Sequence, residues 1–149
     1  MSRTSAVILG IASALFGAFW LFAATTKVLE PLPAYEFVGR VIPPGPVAKG
    51  VIIVAIAVEG ALGAAMLLRA VGAARGFFAS AMAIAAAIGS LLVVRSKADG
   101  LLPCGCYGNA FRASIDDELI VDAILLALVL GCGAWAWLAD RRPAPQDGA

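Results

Sequence analysis

Apolar residues in this chain gather into long unbroken runs, separated by short polar or proline-rich segments. Crossing the hydrocarbon core of a bilayer takes about 20 such residues in helix, at ~1.5 Å of rise each across ~30 Å. Four runs meet that requirement, at about 5–26, 47–68, 76–94 and 119–138. Strict alternation of apolar and polar positions is absent, and lipid cannot satisfy an open backbone, so the runs predict helices rather than a barrel. The expected fold class is all-α, an integral membrane four-helix bundle within residues 1–140. A polar tail, 141–149, has no reason to fold. Small residues four apart, Gly60 with Ala64 and Ala79 with Ala83 and Ala87, mark candidate points of close helix approach. Frequent alanine in an apolar helix explains them equally well.

The first run follows Arg3 as a signal peptide would, but a secretory apolar core is about 7–15 residues and this one continues through Trp20 and Phe22. It is expected to stay as a helix. Between the first two runs, Pro31, Pro33, Pro43, Pro44 and Pro46 rule out one continuous helix, leaving a structured cap or a loose loop. Basic residues divide almost evenly between the two sides of such a bundle. Arg3, Arg69, Arg75, Arg141 and Arg142 fall on one side; Lys27, Arg40, Lys49, Arg95, Lys97 and Arg112 fall on the other. The first group occupies the shorter segments, where the positive-inside bias acts most strongly, so both termini are expected in the cytoplasm. Trp135 and Trp137 then lie at the inner interface.

Composition sharpens this picture. The chain is 62% hydrophobic with a mean hydropathy of +0.95, and 14% of its residues are charged against ~25% in soluble domains. A water-soluble fold of 149 residues has no interior large enough for that apolar content, so the lipid bilayer is the expected partner. A formal net charge of +1 gives no footprint for nucleic acid. The absence of histidine removes the commonest metal ligand and proton shuttle.

The connection between the third and fourth runs contains LLPCGCYG, which places Cys104 and Cys106 outside the membrane under this orientation. Two cysteines separated by Gly105 close only a small, strained ring, and strained, exposed disulfides are the oxidising, readily exchanged ones. Gly105 relaxes the backbone and Pro103 fixes the approach to the first sulfur. Ser114 is positioned to cap the fourth helix, with Asp116 and Asp117 favouring its positive end. Two plainer readings stand beside the reactive one. A passive staple across so few residues would stabilise little. Two thiolates also suit a soft ion such as Cu(I) or Hg(II), although no histidine or second cysteine pair completes such a site, and no metal is expected.

Glu59 lies ~18 Å into the second run from its outer end, near the bilayer midplane. Acids at that depth usually face the bundle interior, are often neutral, and serve either proton-linked chemistry or packing. Ser13 and Cys132 fall at about the same depth, so a hydroxyl partner is expected. Lys27 and Asp122 lie near the outer surface, where charges snorkel, and need no special function. Cys132 is too far from the dithiol to exchange with it and reads as a small buried hydrophobe.

TKVLEP after the first run, Glu59 followed by Gly60, and CGCYG before the fourth run resemble the methylamine utilisation protein MauE family. The lysine and glutamate signatures are shared with the broader DoxX-like four-helix membrane proteins. Tyr107 stands where phenylalanine is common. The resemblance implies a bacterial inner-membrane protein that helps form or maintain disulfides in periplasmic proteins such as methylamine dehydrogenase, beside a periplasmic thioredoxin-like partner. It places the reactive roles on Cys104 and Cys106. A thiol-disulfide oxidoreductase with one dithiol must pass electrons onward. No cofactor is certain, and a quinone between the helices near Glu59 is a second option beside an external protein. A soft-metal transporter or chaperone, and a non-catalytic membrane assembly factor, are the competing classes.

Overall fold

In a computed structural model, residues 3–97 and 114–141 are described, and they form five helices. Four of these, α1 (Arg3–Leu29), α3 (Pro46–Leu67), α4 (Ala73–Lys97) and α5 (Ile115–Asp140), are long and apolar enough to cross a membrane. The expected all-α, four-span architecture is therefore present. Among the described residues there is no strand. The helices overrun the apolar runs by a few residues, because helical hydrogen bonding continues into the polar interface. Thus α4 runs on through Arg95 and Lys97, and α5 starts at Ile115.

The connection after the first span is more ordered than its prolines suggested. Pro31 opens a short helix, α2 (Pro31–Gly39), at the first-turn position where a missing N–H costs nothing. Pro46 opens α3 in the same way. α2 buries Ala34 and Phe37. The start of α5 follows the sequence expectation. The Ser114 hydroxyl accepts from the Asp117 amide at 3.2 Å, and the Asp117 carboxylate takes the Ser114 amide at 3.4 Å, a reciprocal cap.

α1 packs along α3 and α4 along α5, and the two pairs touch each other less extensively. The buried face of α1 is a stripe at helical spacing: Leu9, Ser13, Gly17, Trp20, Ala24 and Lys27. Its closest approach to α3 occurs at Gly17 and Gly63. A Cβ added to Gly63 would lie 2.8 Å from the Gly17 carbonyl oxygen, and one added to Gly17 would lie 3.0 Å from that of Gly63. Gly60, a candidate point of close helix approach, has open space around it. The helix rotation that seats Gly63 against α1 turns Gly60 away. Bonds across the bundle join the pairs: Trp20 Nε1 donates to Ser80 Oγ at 3.0 Å, and that hydroxyl donates to the Met66 sulfur at 3.2 Å. Val54, Met82 and Ile124 remain on the outside, as a lipid-facing surface requires.

Gly63→Ala and Gly17→Ala should each destabilise the protein by about 1–3 kcal/mol through overpacking. Gly60→Ala should leave stability unchanged. Reversible unfolding in mixed micelles, followed by circular dichroism, checks the contrast, and equal effects at all three glycines would contradict this packing.

Candidate functional site

Helical side chains lean toward the helix N-terminus, so a lysine near the C-terminal end of α1 points back into the bundle rather than out of it. Lys27 does so. Its Nζ donates to Glu59 Oε1 at 2.8 Å and Oε2 at 2.9 Å, and reaches the Ala23 carbonyl at 3.4 Å, which accounts for its three hydrogens. The Lys27 and Glu59 side chains retain only 10% and 15% of their exposure. The snorkelling expected for Lys27 is thus replaced by a buried ion pair, because the lean of the side chain and the position of Glu59 agree.

The expected hydroxyl partner of Glu59 is replaced in the same way. Ser13 donates to the Met66 carbonyl at 3.1 Å, seven residues or ~10 Å further along α3. Cys132 packs partly buried against the central apolar cluster, as a small hydrophobe.

The ion pair forms part of the wall of a cavity of about 420 Å³. Phe19, Trp20 and Ala23 of α1 and Ile52, Ala55 and Val58 of α3 give it an apolar lining. Ala83, Ile84 and Ala87 of α4 continue that lining, and Ala34, Phe37 and Val38 of α2 close one end. Two further acids enter from α5. Glu118 and Asp122 are four residues apart on one helix face, both line the cavity, and they retain 2% and 4% exposure. Asp122 was expected to snorkel at the surface; α2 and the neighbouring spans cover that level and bury it. Glu118 is the residue that sequence reading missed. It sits in the acidic run Asp116, Asp117, Glu118, which reads as ornament on a helix N-terminus. Its spacing to Asp122 was the available signal. Among the described residues no three potential metal ligands converge into a group that could hold an ion.

Beside the cavity, Phe37 of α2, Leu91 and Val94 of α4, and Ile115 of α5 form a second buried apolar cluster. Arg95 and Asp116 pair at 3.1 Å across the same ends of α4 and α5, in a half-exposed setting. These contacts hold the last turn of α4 beside the first turn of α5. The family model described as methylamine utilisation protein MauE matches residues 5–138.

The chain belongs to the MauE family.

It is, accordingly, a multi-pass membrane protein of that family. Searches of curated proteins and of solved structures find no significant match. Cys104 and Cys106, where the MauE resemblance places the reactive roles, lie outside the described residues, as do Pro103, Gly105, Tyr107 and Arg112. The described part of this MauE-family protein supplies what flanks them: Lys97 and Ser114 at the ends of α4 and α5, the paired stems, and the acid-bearing cavity one helical turn below Ser114. Glu59, the other sequence candidate, lies in the cavity wall with Lys27 as its partner.

Breaking a buried ion pair on one side typically costs ~3–5 kcal/mol, whereas replacing both partners by apolar groups is close to neutral. Lys27→Met and Glu59→Gln should therefore each lower the unfolding free energy by about that much, with the Lys27→Met/Glu59→Leu double variant recovering most of it. A double-mutant cycle on the purified protein checks this, and additive losses would show that the two groups do not act as a pair.

Proposed function

We propose that the protein is a thiol-disulfide oxidoreductase of the bacterial inner membrane, using Cys104 and Cys106 at the extracytoplasmic face, with both termini in the cytoplasm. The observation that carries this reading is the pairing of the stems on either side of the Cys-Gly-Cys segment. The Phe37, Leu91, Val94 and Ile115 cluster, the Arg95–Asp116 pair and the Ser114 cap anchor the flanks of residues 98–113 at the α2 end. A dithiol meant only to brace the chain there would be redundant, since the stems are already joined by packing. A three-residue disulfide ring removes little chain entropy in any case. Membership of the MauE family supports the same reading.

In the proposed exchange, a thiolate of a periplasmic thioredoxin-like partner attacks the Cys104–Cys106 disulfide. One sulfur–sulfur bond breaks as the mixed disulfide forms, and the freed cysteine leaves as a thiolate. The partner's second thiolate then displaces the remaining cysteine. The partner gains a disulfide and the membrane protein holds two thiols, so two electrons and two protons have moved to it. Proteins such as methylamine dehydrogenase are the downstream recipients consistent with the family's description.

Labelling of intact cells with a membrane-impermeant maleimide tests this. Both cysteines should react only after reduction, and Cys104→Ser or Cys106→Ser should trap a mixed disulfide visible on non-reducing gels. Cysteines that are never oxidised, or that react only from the cytoplasmic side, would sink the reading. Function retained without either cysteine would favour an assembly factor, and stoichiometric Cu(I) binding lost in both variants would favour a metal carrier.

A further inference from the structure

We propose that the cavity between the two helix pairs is a lipid site, holding one acyl chain of a bilayer phospholipid that enters between α3 and α4 while its head group stays outside. The site does not depend on the thiol chemistry, and either can fail without the other.

Access to the cavity is from the bilayer. On α3, Val51, Val54 and Val58 line it and are also 41%, 61% and 46% exposed. On α4, Ala86 and Ser90 likewise belong both to its wall and to the surface. The cavity therefore opens between α3 and α4, which touch each other far less than α1 touches α3 or α4 touches α5. Val51 to Val58 lie well inside α3, so the mouth sits roughly 7–18 Å from the start of that helix, at hydrocarbon depth. Ala34, Phe37 and Val38 of α2 close one end. What reaches the mouth from the side is a lipid tail rather than a head group or water.

The walls ask for no polar ligand, because their polar side chains are already engaged inside the bundle. Lys27 spends its three hydrogens on Glu59 and the Ala23 carbonyl. Trp20 gives its indole N–H to Ser80, and Ser90 gives its hydroxyl proton to the Ala87 carbonyl at 2.7 Å. No other side chain in the lining is a hydrogen-bond donor at neutral pH. Both Glu59 oxygens accept from Lys27, and Glu118 and Asp122 have interactions of their own within the protein. A ligand offering carbonyls, hydroxyls or amines would lose its hydration here without a replacement partner, which is costly. A hydrocarbon chain has no such groups to lose, and at the mouth Val51, Val54, Val58 and Ala86 offer it only apolar surface.

Shape agrees with the same occupant. The lining runs from Phe19 to Lys27 on α1, from Val51 to Glu59 on α3 and from Ala83 to Ser90 on α4. Each stretch covers roughly 10–12 Å along its helix. About 420 Å³ spread over that length makes a channel lying along the helices, suited to an extended chain. Apolar cavities in proteins stay dry, and a channel left empty would forfeit the dispersion contacts of its walls. In a membrane, the apolar filler nearest the mouth is the tail of the phospholipid beside it. That tail takes the place of the larger side chains that alanine and valine do not supply.

The test uses the full-length protein with Trp135→Phe and Trp137→Phe, so that Trp20, in the cavity wall and 6% exposed, is the remaining tryptophan. It is reconstituted in nanodiscs of phosphatidylcholine with or without bromine at mid-chain, since bromine quenches tryptophan emission on close approach. Brominated lipid should lower Trp20 emission at least twofold. Ala55→Leu and Ala87→Leu, on different helices so that one folding failure does not end the test, should each restore most of it by filling the channel. Met82→Leu, on the lipid face outside the cavity, should restore none. A variant keeping only the lipid-exposed Trp135 should be quenched whether or not the channel is filled. Trp20 emission unchanged by brominated lipid while Trp135 is quenched overturns the site, as does quenching of Trp20 that ignores both channel-filling variants. Quenching of Trp20 by brominated stearic acid, but not by brominated phospholipid, assigns the channel to free fatty acid and overturns the proposal.

Discussion

A lysine and a glutamate held in an apolar interior must meet each other, and the Lys27–Glu59 pair is the constraint from which the rest of this bundle follows. Both groups sit within predominantly apolar helices, where an isolated charge is expensive. The ammonium spends all its hydrogens inside the bundle, two on Glu59 and one on the Ala23 carbonyl. For that to happen, α1 and α3 must come close, and glycines at positions 17 and 63 remove the side chains that would keep them apart. The pair thus fixes both the separation and the relative rotation of the two helices.

The same geometry explains why the bundle is not filled. Once α1 is drawn onto α3, and α4 onto α5, the space between the pairs is bridged by a few contacts, including the Trp20–Ser80–Met66 chain. Half of the residues lining the walls are alanine or valine, small side chains that leave the space between the pairs open. A chamber remains, with four ionisable groups at its margin and α2 across its end. Small residues that allow close packing at one level leave a void at another when their neighbours are held apart by aromatic rings such as Phe16 and Phe77, in edge contact at 6.0 Å.

Two features of the bundle bear on the proposed function, the chamber and the paired ends of α4 and α5. The α4–α5 stems are tied by a buried apolar cluster, an ion pair and a helix cap, three interactions of different physical kind. Redundant anchoring of that sort holds the facing ends of α4 and α5 together. The membrane-spanning helices enclose a chamber lined mainly by apolar side chains.

The number of spans, their approximate limits, the capping of α5 and the cysteine pair were legible in the sequence, because each is a local property: run length, a serine three residues before an acid, two thiols one residue apart. The pairing of Lys27 with Glu59 was not, since 32 positions separate them and only the rotation of α1 against α3 brings them together. Depth alone pointed to Ser13, which the register of the two helices places beside Met66 instead. Asp122 looked like a surface acid for the same reason: the sequence states how far along a helix a residue lies but not what covers it. The amino-acid order determined a four-span membrane protein carrying a dithiol. Tertiary packing decided that four of its charged residues, Lys27, Glu59, Glu118 and Asp122, line one interior chamber, because in lipid the side of a helix that becomes buried is set by the neighbours it finds and not by hydrophobicity.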